Sequence, residues 1–431
     1  MSSSTEVPKP ARVQMMVYAV AFFTSSQFLM LSVVMPLWAL SLGATPLMLG
    51  LIISSRQILV VVLSIHGGAL LDRFGPRVVI VITCLSGAVL LAIYPWSPII
   101  WVTVILQLVS GWFEVTSWIG TQALVARLLG GAPLYAGRMT AVARVGGFCG
   151  PILAGLAWAR LGPVWGFSFI AAWTFIGAVV ACFLPPTPPV SEAPSVKVET
   201  APLPAPGAPE TMSLETARPK AERRSVLPSF ADYATTFRLL GLPAVALVVC
   251  CTFMRQAGSG VQSSFYGVWL NQIGFDAAAI GLLIGISNGV SAFAALSVGW
   301  ATRYCAAHWL LIGMTILAIA GIAITPVLGT FIALAIAMGL RGLGQGYNFP
   351  LMLSISTQAV GQHLQGRVVA LRISFNKFGG AMVPFIMGAI AEVTSIEFAF
   401  YLIGSIGIVA LMGLGVWAGL SPAFKNTVRN D

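Results

Sequence analysis

Stretches of about twenty apolar residues recur along the whole chain, and that recurrence decides what it can fold into. Twenty residues of helix rise about 30 Å, the thickness of the hydrocarbon core of a bilayer. Twelve such stretches are predicted, over residues 14–38, 46–70, 77–95, 98–126, 138–159, 164–184, 240–270, 276–300, 308–327, 329–357, 366–391 and 396–419. In lipid every backbone group must find its partner within its own segment, so an open chain crosses as helix. A soluble alternative fails on composition. Of 431 residues 58% are hydrophobic and 8% charged, which leaves too few polar side chains to cover a water-facing surface. The first stretch is not a signal peptide: it is too long, lacks a small-residue cleavage site and is followed by eleven more. The expected fold class is an all-α polytopic membrane protein.

Charges between the spans set the orientation. Lys9, Arg12, Arg73, Arg77, Arg127, Arg138, Arg303, His308, Lys425 and Arg429 fall on one side. The alternate loops hold Arg160 as their main cation and carry Asp276, Glu392 and Glu397. The positive-inside rule then puts both termini in the cytoplasm, with the protein in the plasma (inner) membrane. Residues 185–239 interrupt the pattern. They open on "PPTPPVSEAPSVKVETAPLPAPGAPE", which cannot build a core, and read as a largely disordered cytoplasmic linker. The chain thus divides into a tail (1–13), a six-helix half (14–184), the linker, a second six-helix half (240–419) and a tail (420–431). The halves echo each other. Gly43, Gly50 and Gly68 match Gly274, Gly281 and Gly299 at one spacing of 231 residues, as duplicated halves would.

Three motifs carry a resemblance. "GALLDRFGPR" holds Gly68, Asp72, Arg73, Gly75 and Arg77 between the second and third spans. "GRMTAVARVGGFCGPILAG" in the fifth span holds Gly137, Gly146, Gly150, Pro151 and Gly155, with Ala154 where a glycine is usual. "RGLGQG" starts at Arg341 in the tenth span. Together they resemble the major facilitator superfamily across the whole chain apart from the linker. The first resembles its cytoplasmic gate, the second its proton-antiporter motif, and the third an arginine motif usually found in the fourth helix, where this chain has Gln107. The resemblance implies a major facilitator fold and a carrier that alternates access between the two sides.

Charges inside the spans point to a wet interior. Arg56, Glu114, Arg255, Arg341 and Lys377 fall away from the ends, Arg372 nearer the cytoplasmic side and Arg144 shallower still. A charge at mid-membrane costs about 2.5–3.5 kcal/mol on insertion scales, so each should face a cavity or a partner. Glu114 is the one mid-span acid and is expected to exchange a proton, together with Arg341. Arg56, Trp112, Arg255, Tyr266, Tyr347 and Lys377 are the expected substrate contacts. Surplus positive charge draws anions. Trp112 and Phe113 beside Glu114 suit a ligand with an apolar face.

Other classes lack their signatures. There is no nucleotide-binding or metalloprotease motif, and the cysteines and histidines have no metal spacing. The chain reads as a carrier rather than an enzyme, without cofactor or metal. The net charge of +10 reflects membrane topology and not nucleic-acid binding. The expected partners are a small anionic or amphipathic organic substrate, protons and membrane lipids, around a monomer. Proton-coupled export is the first reading. Organic-anion uptake or anion exchange is the second, and a non-transporting receptor on the same fold is the third.

Overall fold

A computed structural model describes residues 11–130, 133–186 and 237–425, without the side chains of residues 64–69, 72, 133, 357, 361–367, 369–370, 423 and 425. The tails at 1–10 and 426–431 and most of the linker read above lie outside the described residues. The first half contains α1 (Ala11–Ser41), α2 (Pro46–Phe74), α3 (Pro76–Ile93), α4 (Ile100–Leu128), α5 (Pro133–Leu161) and α6 (Pro163–Cys182). The second contains α7 (Pro243–Gln272), α8 (Ala277–Ala301), α9 (Ala307–Ala323), α10 (Phe331–Val393), α11 (Ile396–Leu420) and the short α12 (Pro422–Lys425).

Local chemistry sets the boundaries. Thr45, Asp276, Thr330 and Ser395 each accept a hydrogen bond from the backbone N–H three residues on, which satisfies a free donor at a helix start. Gly43 and Gly274, paired by the repeat, take φ of +70° and +96° in the turns before α2 and α8. Only glycine adopts that backbone cheaply. Ten stretches among the described residues are long and apolar enough to cross a membrane. α9 is apolar but has 17 residues.

The tenth and eleventh predicted spans are not separated by a loop: residues Phe331–Val393 are helical throughout. They nevertheless run as two antiparallel limbs along α7. Phe331 meets Phe275, Arg341 meets Gly258, Val360 and Val368 share a cluster with Val245 and Val249, and Val383 returns to Gly260. The chain therefore turns back near residues 360–368 without leaving helical hydrogen bonding. Counting both limbs, α9 and the rest, twelve membrane-spanning helices among the described residues form two halves of six.

Among the described residues the apolar cores of the halves join at one end. A single apolar cluster joins Met35 and Trp38 of α1, Leu49 of α2, Phe265 and Trp269 of α7, Ile280 of α8, Met387 of α10 and Phe400 of α11. Toward the end with Arg73, Arg127 and Arg303 the cores separate, one around Val20, Ile80 and Leu124, the other around Leu247, Leu311 and Met352. The closed end is a backbone seal. A methyl group added at Gly50 would lie 2.5 Å from the Pro384 carbonyl oxygen, and one at Gly388 2.6 Å from that of Pro46. Gly281 likewise sits against the Pro151 carbonyl and Gly155 against that of Ala277. Gly50 and Gly281 are repeat mates, so α2 on α10 and α8 on α5 are the same contact made twice.

Candidate functional site

A cavity of about 240 Å³ lies between the halves. Its wall is polar. From α1 come Ser25, Phe28, Leu29 and Ser32, and from α5 Arg144. α7 supplies Arg255, Gln256, Ser259, Gln262 and Ser263, α8 supplies Ser287, Asn288 and Ser291, and α10 supplies Arg341 and Gln345.

Two local features aim these groups. In "RGLGQG" the glycines pack outward: Gly342 against the Ser287 carbonyl, Gly346 against that of Ser291, and Gly344 against that of Met314. Glycine lets the helices approach that closely, and Arg341 and Gln345, four residues apart, then share the face toward the cavity. In α7, residues Gln262–Tyr266 form a π-turn. Such a turn inserts one residue into the helix and rotates the facing of the residues beyond it; Gln262 and Ser263 reach the cavity from it.

Arg341 is 2% exposed. It donates to the Gly258 carbonyl at 3.3 Å. The Gln345 amide lies among Arg341, Arg255 and Ser259. With its oxygen toward Arg341 it accepts from Nη1 at 2.8 Å and from Ser259 Oγ at 3.1 Å. The reverse orientation gives Arg255 a 3.4 Å bond. We assign the first, because its charge-assisted bond is shorter. Arg255 then keeps Gln256 Oε1 at 3.5 Å. No carboxylate lines the cavity among the described residues.

The acid that the sequence places at mid-span is committed elsewhere. Glu114 of α4 forms an ion pair with Arg56 of α2, and Arg56 also donates to Gln107 Oε1 at 3.0 Å. Gly111 under the Arg56 carbonyl lets the two helices touch. The repeat carries Arg56 onto Ser287 and Glu114 onto Gln345, and Gly342 lies under the Ser287 carbonyl as Gly111 lies under that of Arg56. One structural position thus holds an ion pair in the first half and cavity wall in the second. Lys377 is not paired with Glu114. Its Nζ donates to Gln57 Oε1 at 3.3 Å, at the seam of α2 and the returning limb of α10.

The sequence matches the family model described as Major Facilitator Superfamily over residues 17–254 and 248–430. The chain belongs to the Major Facilitator Superfamily. It is therefore a multi-pass membrane transporter of small molecules. A comparison of the sequence with curated proteins finds no match. Among solved structures it is similar to a mutant of the nucleoside transporter NupG, at TM-score 0.75 and 12% identity, over 94% of this chain and 99% of that one. It is also similar to a bacterial homologue of the human lysosomal transporter Spinster in an inward-facing, unoccupied conformation. There the TM-score is 0.68 and the identity 13%, over 98% of both chains. At these identities the likeness speaks to fold alone.

The superfamily-like motifs are distributed over the fold. Of the gate residues, the side chains of Gly68 and Asp72 are not among those described. Arg73 stands over the Phe74 ring at 5.3 Å. Gly75 takes φ of +79° between α2 and α3, and Arg77 donates to the Cys182 carbonyl at 2.6 Å, tying α3 to the end of α6 within one half. In the fifth-helix motif, Gly146 and Gly150 pack on α1, and Pro151 and Gly155 on α8, while Gly137 faces open space. Trp112 donates to the Leu63 carbonyl at 3.4 Å. Tyr266 is buried in the core joining the halves, and Tyr347 bonds Ser297 at 2.7 Å within the second half. None of these three lines the cavity.

Glu392 stands in the sequence as a loop charge and nothing more. In the structure its carboxylate accepts from the Leu47 N–H at 2.9 Å, so an acid of the second half caps α2 of the first. An anion at a helix N-terminus contributes about 0.3–1 kcal/mol. Glu392→Ala is expected to reduce the population closed at this end by about two- to fivefold. Labelling of cysteines placed at the seal should rise accordingly, and unchanged labelling would remove Glu392 from the latch.

Proposed function

We propose that this transporter moves small organic anions outward by alternating access, in exchange for protons. The observation that carries the anion reading is the cavity: three guanidinium groups, from Arg144, Arg255 and Arg341, and no carboxylate among the described residues that line it. Buried unpaired charge is unfavourable, and a bound anion relieves it. The wall of serine and amide groups favours a polar anion over an amphipathic one. With the basic loops and both termini in the cytoplasm of a cell whose plasma membrane holds the protein, the cavity faces inward. The similar Spinster homologue is itself inward-facing. The fifth-helix motif supports proton antiport, and Glu114 is the acid available to exchange the proton, through its pair with Arg56. Asp72, with Arg73 and Arg77, would close the cytoplasmic side in the alternate state. Lys377 stays in the proposal as a neighbouring cation at the α2–α10 seam.

Anion exchange is the second reading, and the same arginines favour it, because an empty cavity with unpaired cations resists closing. Proteoliposomes loaded with a radiolabelled carboxylate separate the two. For proton coupling, an imposed pH gradient drives efflux, and Glu114→Gln abolishes that drive while Arg56 keeps Gln107 and an amide oxygen as acceptors. Flux that ignores the gradient and follows anion on the opposite side would establish exchange instead.

A further inference from the structure

The three cations of the cavity are not one cluster on one helix. Arg144 belongs to the first half, Arg255 and Arg341 to the second. Their partners differ. Arg341 is tied to the Gly258 carbonyl and the Gln345 amide. Arg144 has no hydrogen-bond partner or ion pair among the described residues. Neither pole is neutralised by an acid among the described residues that line the cavity, and Glu114 is held by Arg56. A ligand with one negative group matches the cations of one half and leaves those of the other unmatched.

The remaining wall divides by hydrogen-bond sense. Ser25, Ser32 and Ser263, which line the cavity, donate to backbone carbonyls, which leaves their oxygens free to accept. Gln262 Nε2 and Arg341 Nε are buried donors without a partner. Cationic and amide donors contributed by both halves, with serine hydroxyls among them, match a ligand that carries more than one anionic acceptor group and a hydroxylated frame.

We infer that the cargo carries two negative groups, one for Arg144 of the first half and one for the Arg255–Arg341 pole of the second, as in a small hydroxylated dicarboxylate or an acid bearing a phosphate. This rests on the anion reading above and narrows it. A ligand held at both poles also bridges the two halves, so it favours their approach on the open side. A monoanion held at one pole does not.

The test uses the full-length protein in lipid nanodiscs and isothermal titration with straight-chain dicarboxylates of three to six carbons. The monocarboxylates of equal length and butane-1,4-diol serve as references. At least one dicarboxylate is expected to bind ten or more times tighter than its monocarboxylate. In Arg144→Gln that ratio should fall to about one, and in Arg144→Lys it should recover in part, which guards against a merely misfolded variant. Carboxylates that bind with a wild-type ratio near one overturn the two-pole cargo and leave the anion reading standing. A high ratio that survives Arg144→Gln overturns the role given to Arg144. Carboxylates that bind no better than the diol overturn the anion reading itself.

Discussion

Arg341→Gln is expected to abolish transport, by a hundredfold or more, while the protein becomes no less stable. The side chain is buried, lines the cavity and has no acid partner there. A cation at this depth costs about 2.5–3.5 kcal/mol on insertion scales, and glutamine removes that cost while keeping donors for the Gly258 carbonyl. Loss of the charge removes the attraction for cargo, which a neutral amide does not replace. Arg341→Lys is expected to rescue poorly. An ammonium on a flexible stem cannot hold Gly258 and Gln345 at once and still face a ligand. Flux into proteoliposomes and a melting curve of the purified variant are the two measurements. Lost flux with a large drop in melting temperature would make Arg341 a structural residue, and retained flux would move the cargo path elsewhere.

Gly281→Val is expected to trap the carrier away from the conformation in which this end is sealed. A side chain at this position overlaps the Pro151 carbonyl, and backbone cannot swing aside as a side chain would. Overpacking of this kind costs about 1–3 kcal/mol or more. Each 1.4 kcal/mol is a tenfold change in population, so a hundredfold shift is within range. Transport should fall to background. Accessibility of a cysteine at Ser32 should shift from the basic face to the opposite one. Gly50→Val is expected to do the same, because Gly50 meets Pro384 as Gly281 meets Pro151. A normal flux in both variants would mean that the seal is not part of the cycle.

How far these features are legible in the sequence depends on what each needs. Span positions follow from hydropathy, because the bilayer imposes length and helix together. The repeat is readable from three glycine pairs, and it extends to contacts the sequence does not show, such as Gly111 under Arg56 and Gly342 under Ser287. Arg341 and Arg255 stand out as charges in apolar helices, and both line the cavity. Arg144 is legible as a shallow charge in its span but not as cavity wall, because depth along a helix is readable and facing is not. Its direction is set by Gly146 and Gly150 drawing α5 onto α1. Trp112 and Tyr347 draw attention by type, yet each finds a partner within its own half. The pairing of Glu114 with Arg56 over Lys377 needs the distance between α2 and α4, and the π-turn in α7 leaves no compositional mark.

The glycine seal has a mechanical consequence. Backbone pressed on backbone gains dispersion energy, of which about a quarter to a half is lost on a separation of about 0.5–1 Å. Apart from Glu392 on Leu47, the glycine–carbonyl contacts named above contain nothing that titrates and no ion pair that salt would screen. Opening at that end is therefore expected to respond to how hard the surrounding lipid squeezes the helices together, with Glu392 and the Lys377–Gln57 bond as the polar contacts of the same interface. A change of bilayer thickness carries a cost for helices of fixed length, so the membrane itself, alongside cargo and proton gradient, is expected to influence how readily this carrier turns over.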